Sequence, residues 1–404
     1  IKSTPYRVEE EKMAVILQRL VGTAHERRFY PDISGVARSH NYYPIAPMKA
    51  EDGIASVALG LGKQVVEGGA AVRFCPRYPR HIVQFSNVAD VLKYSQKTFY
   101  ALESSGGDDD GEKWPELGNL GLDVAERDGT LAAVGSTYSR ENHAIYDGTS
   151  RPGVRVVTLA PILKNDLYPL PQILNRLLEL GRNGMSGPVE IEFAANLSGP
   201  ARRRKEFYLL QMRPMVVEQE LERLSILDTA IEDVICRSYA VLGNGMINDI
   251  HDVVVVDIDR FDRAQSIHVA REVGLFNVDL LENRTPYVLI GVGRWGSADP
   301  WLGIPVRWEE ISGARVIVET GMKDVKVTPS QGTHFFQNIT ASKVGYITVT
   351  GEGGSFIDWE WLAAQPAVCE RRFTRHLRFD APVGVIMDGH HNKAIILKPR
   401  AEAQ

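Results

Sequence analysis

Four polar side chains in the stretch 189–214 have the types and the spacing of a phosphate and metal site. Glu190 and Glu192 alternate with apolar residues, and so do Gln211 and Arg213 in the apolar run that follows. Because side chains alternate faces along a strand, each pair projects from one face of its strand. The segment between the two runs contains glycine, proline and a basic cluster, which is typical of a loop joining strands. If the strands pair, the four side chains converge on one patch.

Such a patch fits a site for Mg²⁺ and a polyphosphate. Carboxylate and amide oxygens are hard ligands of the kind that Mg²⁺ prefers, with substrate phosphates completing its coordination shell. A guanidinium adds a forked donor for phosphate oxygens. A plain alternative stays open at this point, namely an amphipathic hairpin stabilised by a cross-strand ion pair.

Other chemistries fit the sequence less well. Glycoside hydrolases also use two carboxylates, but these flank the scissile bond, whereas Glu190 and Glu192, about 7 Å apart on one strand face, point in the same direction. The chain contains neither a GxSxG elbow nor an HExxH metal motif. His390 and His391 lack two further ligands at metal spacing, so MDGHHNK is predicted to be a turn between strands.

Composition and charge limit the classes of function. The 404 residues are 44% hydrophobic and 24% charged, with a net charge of −5, which is typical of a globular protein with two or three domains. A negative net charge disfavours non-specific nucleic-acid binding. The three cysteines have no CxxC spacing, and no apolar run approaches the roughly 20 residues of a membrane helix. We therefore expect a cytoplasmic protein that binds neither nucleic acid nor membrane.

The elements that position the patch are predicted from apolar periodicity. Residues 170–184 have leucines near helical spacing and predict a helix that ends at Gly181 or Gly184 and leads into the glutamate strand. MAVILQRLVG (13–22) predicts a buried strand interrupted by one glutamine. Residues 54–69 predict a strand and a second element, each followed by a glycine turn.

The second half of the chain has the pattern of a separate α/β domain. Charged residues after Met215 predict a linker, so we place a boundary near residue 217 between domains 1–217 and 218–404. Strand-like runs with helix-like segments between several of them favour an α/β (α+β) fold. The predicted strands are 252–258, 287–293, 314–319, 344–350, 382–388 and 393–399. In the first half, residues 104–113 predict a mobile surface loop.

Taken in order, five motifs resemble the ATP-grasp nucleotide domain of the phosphoenolpyruvate synthase and pyruvate phosphate dikinase family. They are MAVILQRLVG, SGVARS, GLGKQVVEGG, PVEIEFA and FYLLQMRP, and they lie in separated blocks between about residues 13 and 215. The resemblance implies an ATP-grasp lobe followed by a swivelling phosphohistidine domain. The paired E-x-E and Q-x-R motifs are the most specific part of it.

The resemblance also implies roles for individual residues, with ATP and Mg²⁺ as ligands. Glu192 and Gln211, assisted by Glu190, would hold a catalytic Mg²⁺. Arg213 would contact the phosphates of ATP. In addition, Gln18 and Leu20 would lie on the strand and hinge beside adenine.

The sequence departs from the family at three points. Lys63 stands where the family's GLGE motif has a glutamate, and Arg38 and Ser39 stand where the family has an aromatic residue and a threonine. The family's upstream lobe, which has phosphate-binding basic residues of its own, has no counterpart here. We therefore expect a fragment that needs this lobe as a partner, and that alone binds Mg²⁺-ATP weakly and is inactive.

The second domain offers a candidate phosphoryl acceptor. The family's swivelling domain has a strand, an Asp-Pro segment, a strand ending Ile-Val and a glycine-rich turn before a phosphorylated histidine. Here Asp299-Pro300, ARVIVE and Gly332-Thr333-His334 follow in the same order, so the resemblance implies that His334 accepts phosphate. Two alternatives stay open: a packed core role for this histidine, which precedes two phenylalanines, and a domain that no longer accepts phosphate.

Together these features predict an Mg²⁺-ATP-dependent phosphotransferase that passes phosphate from ATP to His334, with Arg213 and the metal neutralising the transferred group. Two alternatives come from other classes. One is a regulatory module that binds nucleotide without transfer, and the other is an ATP-grasp ligase that activates a carboxylate as an acyl phosphate. The family's pyruvate-binding barrel has no match in the chain, and the residues after the nucleotide domain are too few to form one.

Overall fold

The computed structural model describes most of the chain, in eight pieces. They are residues 15–104, 115–197, 205–215, 229–297, 299, 301–321, 338–339 and 342–399. His334, the predicted boundary near residue 217 and all but the first residue of the predicted loop 104–113 lie outside them. We call residues 15–215 the N-terminal region and residues 229–399 the C-terminal region.

Within the described residues, strands outnumber helices in both regions. The strands of the N-terminal region are β1 (Thr23–His25), β2 (Arg28–Tyr30), β3 (Ile33–Arg38), β4 (Ile54–Ala58), β5 (Val72–Phe74), β6 (Thr98–Glu103), β7 (Glu116–Gly121), β8 (Gly135–Ser139), β9 (Ala144–Asp147), β10 (Val154–Val157), β11 (Val189–Asn196) and β12 (Glu206–Pro214). Those of the C-terminal region are β13 (Val234–Ser238), β14 (Val241–Leu242), β15 (Gly245–Val256), β16 (Tyr287–Val292), β17 (Arg294–Trp295), β18 (Gly303–Ile304), β19 (Ala314–Thr320), β20 (Gly345–Val349), β21 (Phe356–Ile357), β22 (Ala367–Glu370), β23 (Thr374–Asp388) and β24 (Lys393–Leu397). The helices are α1 (Lys63–Val66), α2 (Val88–Tyr94), α3 (Leu122–Arg127), α4 (Ala160–Leu163), α5 (Leu170–Met185), α6 (Ser266–Glu282) and α7 (Trp359–Ala364).

A five-stranded antiparallel sheet in the N-terminal region carries the polar patch. Its strand order is β12-β11-β3-β4-β5, so β11 lies between its hairpin partner β12 and the distant β3. Val189, Ile191 and Phe193 lie on one face of β11 and are buried in the core. The alternate residues must therefore project from the opposite face. The predicted hairpin is confirmed.

Helix α5 packs against the core face of this hairpin. Its start at Leu170 was predicted, and it ends at Met185, one residue after Gly184, the second of the two predicted stops. It ends where Ser186 adopts a left-handed conformation, with φ of 53°. Gly181 serves packing instead of termination, since a Cβ there would lie 2.8 Å from Cγ2 of Val189.

The two predictions for the start of the N-terminal region have opposite outcomes. Residues 54–69 form β4, a turn and α1, as predicted. The buried strand predicted at 13–22 is wrong for the described residues 15–22, which have no regular structure. The side chains of Val15, Ile16 and Leu17 are 76%, 87% and 94% exposed. An apolar run becomes a buried strand only when a neighbouring strand and a core accept it, and here neither does.

The C-terminal region is built on a ten-stranded mixed sheet. Strands β15, β16, β19 and β20 are parallel neighbours, and β23, β24 and β13 continue the sheet in antiparallel fashion. Helix α6 covers one face through a shared apolar core. All six strands predicted for this half are present, and the α/β (α+β) fold class is confirmed. None of the helices in the described part of the chain has the length and apolar character needed to cross a bilayer.

The two regions contact one another through the segment that follows β3 and through the end of α2. Ile45 is only 7% exposed and belongs to the same apolar cluster as residues of α6 and the large sheet. The backbone N–H of Gly243 donates to the carbonyl of Tyr42 at 3.1 Å. The hydroxyl of Tyr94 donates to Oδ1 of Asn338 at 2.9 Å.

Candidate functional site

The register of the hairpin places the polar residues directly opposite one another. Glu190 pairs with Arg213, and Glu192 pairs with Gln211. A β-bulge follows, since Phe193 pairs with Leu209 and one residue of β12 is left over. The bulge comes after the polar pairs, so the sheet brings together the four side chains that alternation had grouped.

Strand β3 adds a residue that the hairpin alone does not contain. In the antiparallel pairing of β11 with β3, Glu190 lies opposite Arg38 and Glu192 lies opposite Val36. Each row across the three strands therefore has three members. We call Arg38, Glu190 and Arg213 the arginine row.

The arginine row is a tight charged cluster. The carboxylate of Glu190 accepts from Nε of Arg38 at 2.5 Å through one oxygen, and from Nε and a terminal nitrogen of Arg213 at 2.9 and 2.5 Å through the other. Burial alone would raise the pKa of Glu190, but the hydrogen bonds and charges of the two arginines outweigh it and lower this pKa. Glu190 raises the pKa of Arg213 in turn. Glu190 is thus an ionised, fully engaged carboxylate.

The next row contains the oxygen donors that suit a metal ion. Glu192 lies beside Gln211, and neither side chain has a hydrogen-bond partner among the described residues. A carboxylate and an amide oxygen, side by side and uncommitted, fit the preference of Mg²⁺ for hard oxygen ligands. No group of three or more His, Cys, Asp or Glu residues within the described ranges could hold a metal.

A cavity of about 160 Å³ adjoins this second row. Its lining residues are Gln18, Arg19, Leu20, Val21, Pro31, Ser34, Gly35, Val36, Leu61, Gly62, Val65, Val66, Glu192, Phe193, Ala194 and Leu210. The walls are mostly apolar, as is usual for a pocket that receives an organic ligand. Residues 18 and 20, predicted to lie beside adenine, are at this cavity. Nε2 of Gln18 donates to the carbonyl of Leu210 at 3.0 Å and ties the segment to β12.

Two of the three departures from the family motifs have structural roles here. The hydroxyl of Ser39 accepts from the backbone N–H of Val189 at 2.8 Å and extends the pairing of β3 with β11. Nζ of Lys63 lies 5.1 Å from the ring centre of Tyr100 and 3.6 Å from a carboxylate oxygen of Glu67. The charge of Lys63 is thus already compensated by its neighbours.

The contact of Arg38 with Glu190 was missed by sequence reasoning. Alternation along β3 puts Arg38 on the same face as Val36 and Ser34, but it does not say which strand becomes the neighbour of β3. That neighbour lies about 150 positions away in the sequence, since 152 residues separate Arg38 from Glu190. A local signal for this contact does not exist in the sequence.

In the second half, a buried tryptophan of β17 and the paired histidines have structural roles, and His334 lies outside the described residues. Trp295 of the GRWGS stretch is fully buried, and its indole N–H donates to the carbonyl of Val318 at 3.0 Å. His390 and His391 form the predicted turn, with both backbone N–H groups donating to Asp388. His334 is not described, so its predicted role as acceptor stays a prediction.

Comparison with known families gives one match. A family model described as the AMP/ATP-binding domain of pyruvate phosphate dikinase matches residues 2–232. The match covers all five motifs and the complete sheet that carries the arginine row. No curated protein matches the chain.

Proposed function

Because the chain belongs to the family of the pyruvate phosphate dikinase AMP/ATP-binding domain, and so has an ATP-binding, kinase-like domain, we propose that it binds Mg²⁺-ATP on the polar face of the five-stranded sheet and transfers a phosphoryl group from it. The observation that supports this proposal is the order in which the cavity and the two polar rows lie along the strands. A largely apolar cavity, a carboxylate–amide pair and the arginine row follow one another on one face.

The spacing of these rows suits a nucleoside triphosphate. Alternate residues on one face of a strand are about 7 Å apart. A base in the cavity beside Ala194 would place its phosphate chain over the row of Glu192 and the row of Glu190. The ligand would then meet apolar walls first, oxygen donors next and positive charge last. This is the sequence of groups that a nucleotide with a metal-bound polyphosphate presents.

Each polar residue would have a distinct part in this mechanism. Glu192 and Gln211 would hold Mg²⁺, which neutralises phosphate charge and orients the phosphates when it is bound. Arg213 would donate to phosphate oxygens through the N–H groups that Glu190 does not use. Glu190, whose oxygens are both engaged by arginines, would orient these arginines and not bind the metal. Positioning and charge neutralisation are the main tasks of a protein in phosphoryl transfer.

The proposed acceptor is His334 of the C-terminal region. The order of its flanking motifs supports this role, and a neutral imidazole is a competent nucleophile toward phosphorus. Incubation of the intact protein, including the upstream lobe, with [γ-³²P]ATP and [β-³²P]ATP, followed by acid and base treatment, tests it. We expect an acid-labile, base-stable label that His334→Ala removes. A label that persists in this variant would exclude His334.

Equilibrium dialysis of ATP tests the nucleotide site itself. Glu192→Gln removes the anionic metal ligand, and we expect it to weaken ATP binding in the presence of Mg²⁺ about tenfold while binding in EDTA changes little. Glu206→Gln is the matched control, because Glu206 is exposed on the same hairpin, away from the two polar rows, and its carboxylate accepts a hydrogen bond from the hydroxyl of Tyr208. Equal ATP affinity of Glu192→Gln and wild type in Mg²⁺ would contradict the assignment of the metal row.

A second candidate function is nucleotide binding without transfer. The contacts of Ile45, Tyr42 and Tyr94 with the C-terminal region favour it, because a domain that carries phosphate between sites must first leave such contacts. This candidate predicts ATP binding with the dependence on Glu192 described above, but no phosphohistidine in the wild type. The ligase alternative instead predicts release of ADP only when an acid and an amine or thiol are supplied.

A further inference from the structure

Arg38 is the residue of the arginine row to which neither the family motifs nor the hairpin assigns a role. It occupies the last position of β3, beside the strand that carries both glutamates. Its side chain is 48% exposed and that of Arg213 is 54% exposed, whereas the carboxylate between them is 8% exposed. Two half-exposed cations thus lie on one buried anion, and both extend toward solvent.

The charges of this row do not cancel. One carboxylate and two guanidinium groups leave one positive charge in excess at neutral pH. Arg38 uses only Nε to reach Glu190, and its terminal nitrogens have no partner among the described residues. A guanidinium has five N–H donors in a rigid fork, so most of this fork faces outward. A structural ion pair needs only one of the two arginines.

From this geometry we infer that Arg38 is a second phosphate-binding cation, which together with Arg213 clamps the distal phosphates of a nucleoside triphosphate. Glu190 is the positioning residue that holds both guanidinium groups on the sheet face. This inference rests on the proposed function, and it names the part of the ligand that the row recognises.

The position of the row determines which phosphates it reaches. Arg38 and Glu190 lie one row from Val36 and Glu192 at the near end of the cavity, and two rows, about 14 Å along the strands, from Ser34 and Ala194 at its far end. A monophosphate whose base lies at the far end, beside Ser34 and Ala194, does not extend over these roughly 14 Å, whereas a triphosphate does. Arg38 should therefore discriminate between nucleotides by the length of their phosphate chain.

Equilibrium dialysis of ATP, ADP and AMP with Mg²⁺ against Arg38→Gln tests the inference. Hydrogen bonds between charged groups predict that the Kd for ATP rises about tenfold or more, while the Kd for AMP changes less than twofold. Arg38→Lys keeps the charge but loses the fork, and we expect an intermediate Kd for ATP. The affinity of the wild type for ATP should also fall with rising salt more steeply than that of Arg38→Gln.

The matched control is Arg77→Gln. Arg77 is 65% exposed, and its terminal nitrogen contacts the buried carboxylate of Asp52 at 2.9 Å. It is thus, like Arg38, an exposed arginine paired with a buried carboxylate, but it does not line the cavity beside Glu192. It should leave all three Kd values unchanged. A common loss of ATP and AMP binding in Arg38→Gln would show a merely structural role, and unchanged ATP binding would also overturn the inference. Failure of the wild type itself to bind ATP would instead contradict the proposed function.

Discussion

The carboxylate of Glu190 positions two arginines, and its ionisation also contributes to the stability of the fold. Its pKa is lowered because the hydrogen bonds and charges of Arg213 and Arg38 outweigh the effect of burial. The folded state therefore holds this proton less tightly than the unfolded state. The resulting stabilisation is present above the ordinary pKa of a glutamate, about 4.3, and is lost as the pH falls through the lowered pKa.

Glu190→Gln tests this linkage. The variant leaves two neighbouring arginines without their carboxylate, and we expect about 1–2 kcal/mol of destabilisation at pH 7, since half-exposed partners reduce the larger loss typical of buried pairs. The difference from the wild type should shrink below pH 4. Urea unfolding at pH 7 and pH 3.5 measures it, with Glu206→Gln as the exposed control. A difference that does not depend on pH would contradict the linkage.

At the scale of residues, the sequence predicts which side chains share a face within one strand. Alternation within each strand was sufficient to group Glu190 with Glu192 and Gln211 with Arg213, because each pair lies on a single strand and the two strands are close in the sequence. The partner of Arg38 could not be predicted, since it depends on how distant strands assemble. The same limit hid the full engagement of Glu190, which its sequence neighbours do not reveal.

At the scale of elements, the contact between α5 and the hairpin determines how closely β11, the strand that carries both glutamates, packs against this helix. Gly181 lies at this contact, and a Cβ there would come within 2.8 Å of Val189 and 3.2 Å of Met212. At Gly184, one turn later in the same helix, an added Cβ would have no neighbouring atom within 4 Å outside the helix backbone. The two glycines differ in packing but not in secondary structure.

We expect opposite effects from alanine at these two positions. Gly184→Ala should stabilise the protein by up to about 1 kcal/mol through helix propensity and reduced freedom of the unfolded chain. Gly181→Ala gains the same stabilisation from helix propensity and reduced freedom of the unfolded chain, but its methyl group must displace Val189 or Met212. We therefore expect net destabilisation of about 1–2 kcal/mol. Thermal unfolding of both variants at pH 7 compares them. Equal stabilisation by both would show that the helix is not held close to β11.

A second element-scale prediction concerns β19, where Glu319 is fully buried. It accepts hydrogen bonds from the hydroxyl groups of Tyr346 and Thr348. Burial raises its pKa to about 7 despite these bonds. Because this folded-state pKa exceeds the unfolded value, the associated stability is fully present below pH 4 and is lost as the pH rises through 7.

Glu319→Gln should therefore become more favourable relative to the wild type as the pH rises. We expect the Tm of the variant minus that of the wild type to increase by a few degrees between pH 5 and pH 8. Glu309→Gln, at an exposed position of the same region, provides the control. A Tm difference that is constant over this range would mean that Glu319 is ionised throughout.

Helices and strands could be predicted from the sequence where the folded protein buries their apolar residues. Helix α5 and the six strands that were predicted for the large sheet have long apolar patterns and become buried, so pattern and structure agree. The run at 13–22 has an equally apolar pattern, but its described residues 15–22 find no strand or core to cover them. An apolar pattern indicates that a segment tends to be buried. Whether it is buried depends on the strands and the core that surround it in the fold.

At the scale of the whole molecule, the segment after β3 leads from the five-stranded sheet of the N-terminal region to a contact with the C-terminal region. Arg38 lies on the polar face of the five-stranded sheet, and Ile45, seven residues later, packs into the apolar cluster of the C-terminal region. The ring centres of His40 and His390 lie 5.0 Å apart between them. A displacement of β3 by a bound ligand would therefore reach the C-terminal region within one short segment.

Ile45→Ala tests whether the two regions are energetically coupled. Removing a buried isoleucine at this contact should cost about 2 kcal/mol, the lower end of the range for such truncations, because the residue lies at the edge of its cluster. The cost should appear in the C-terminal region although the residue belongs to the N-terminal region. Hydrogen exchange measured by mass spectrometry should show reduced protection of α6 and β16. Ile33→Ala, in the core of the N-terminal region, should reduce protection there and leave α6 unchanged. If Ile45→Ala left α6 and β16 fully protected, the regions would be independent, and a C-terminal region free to move between sites would become the better description.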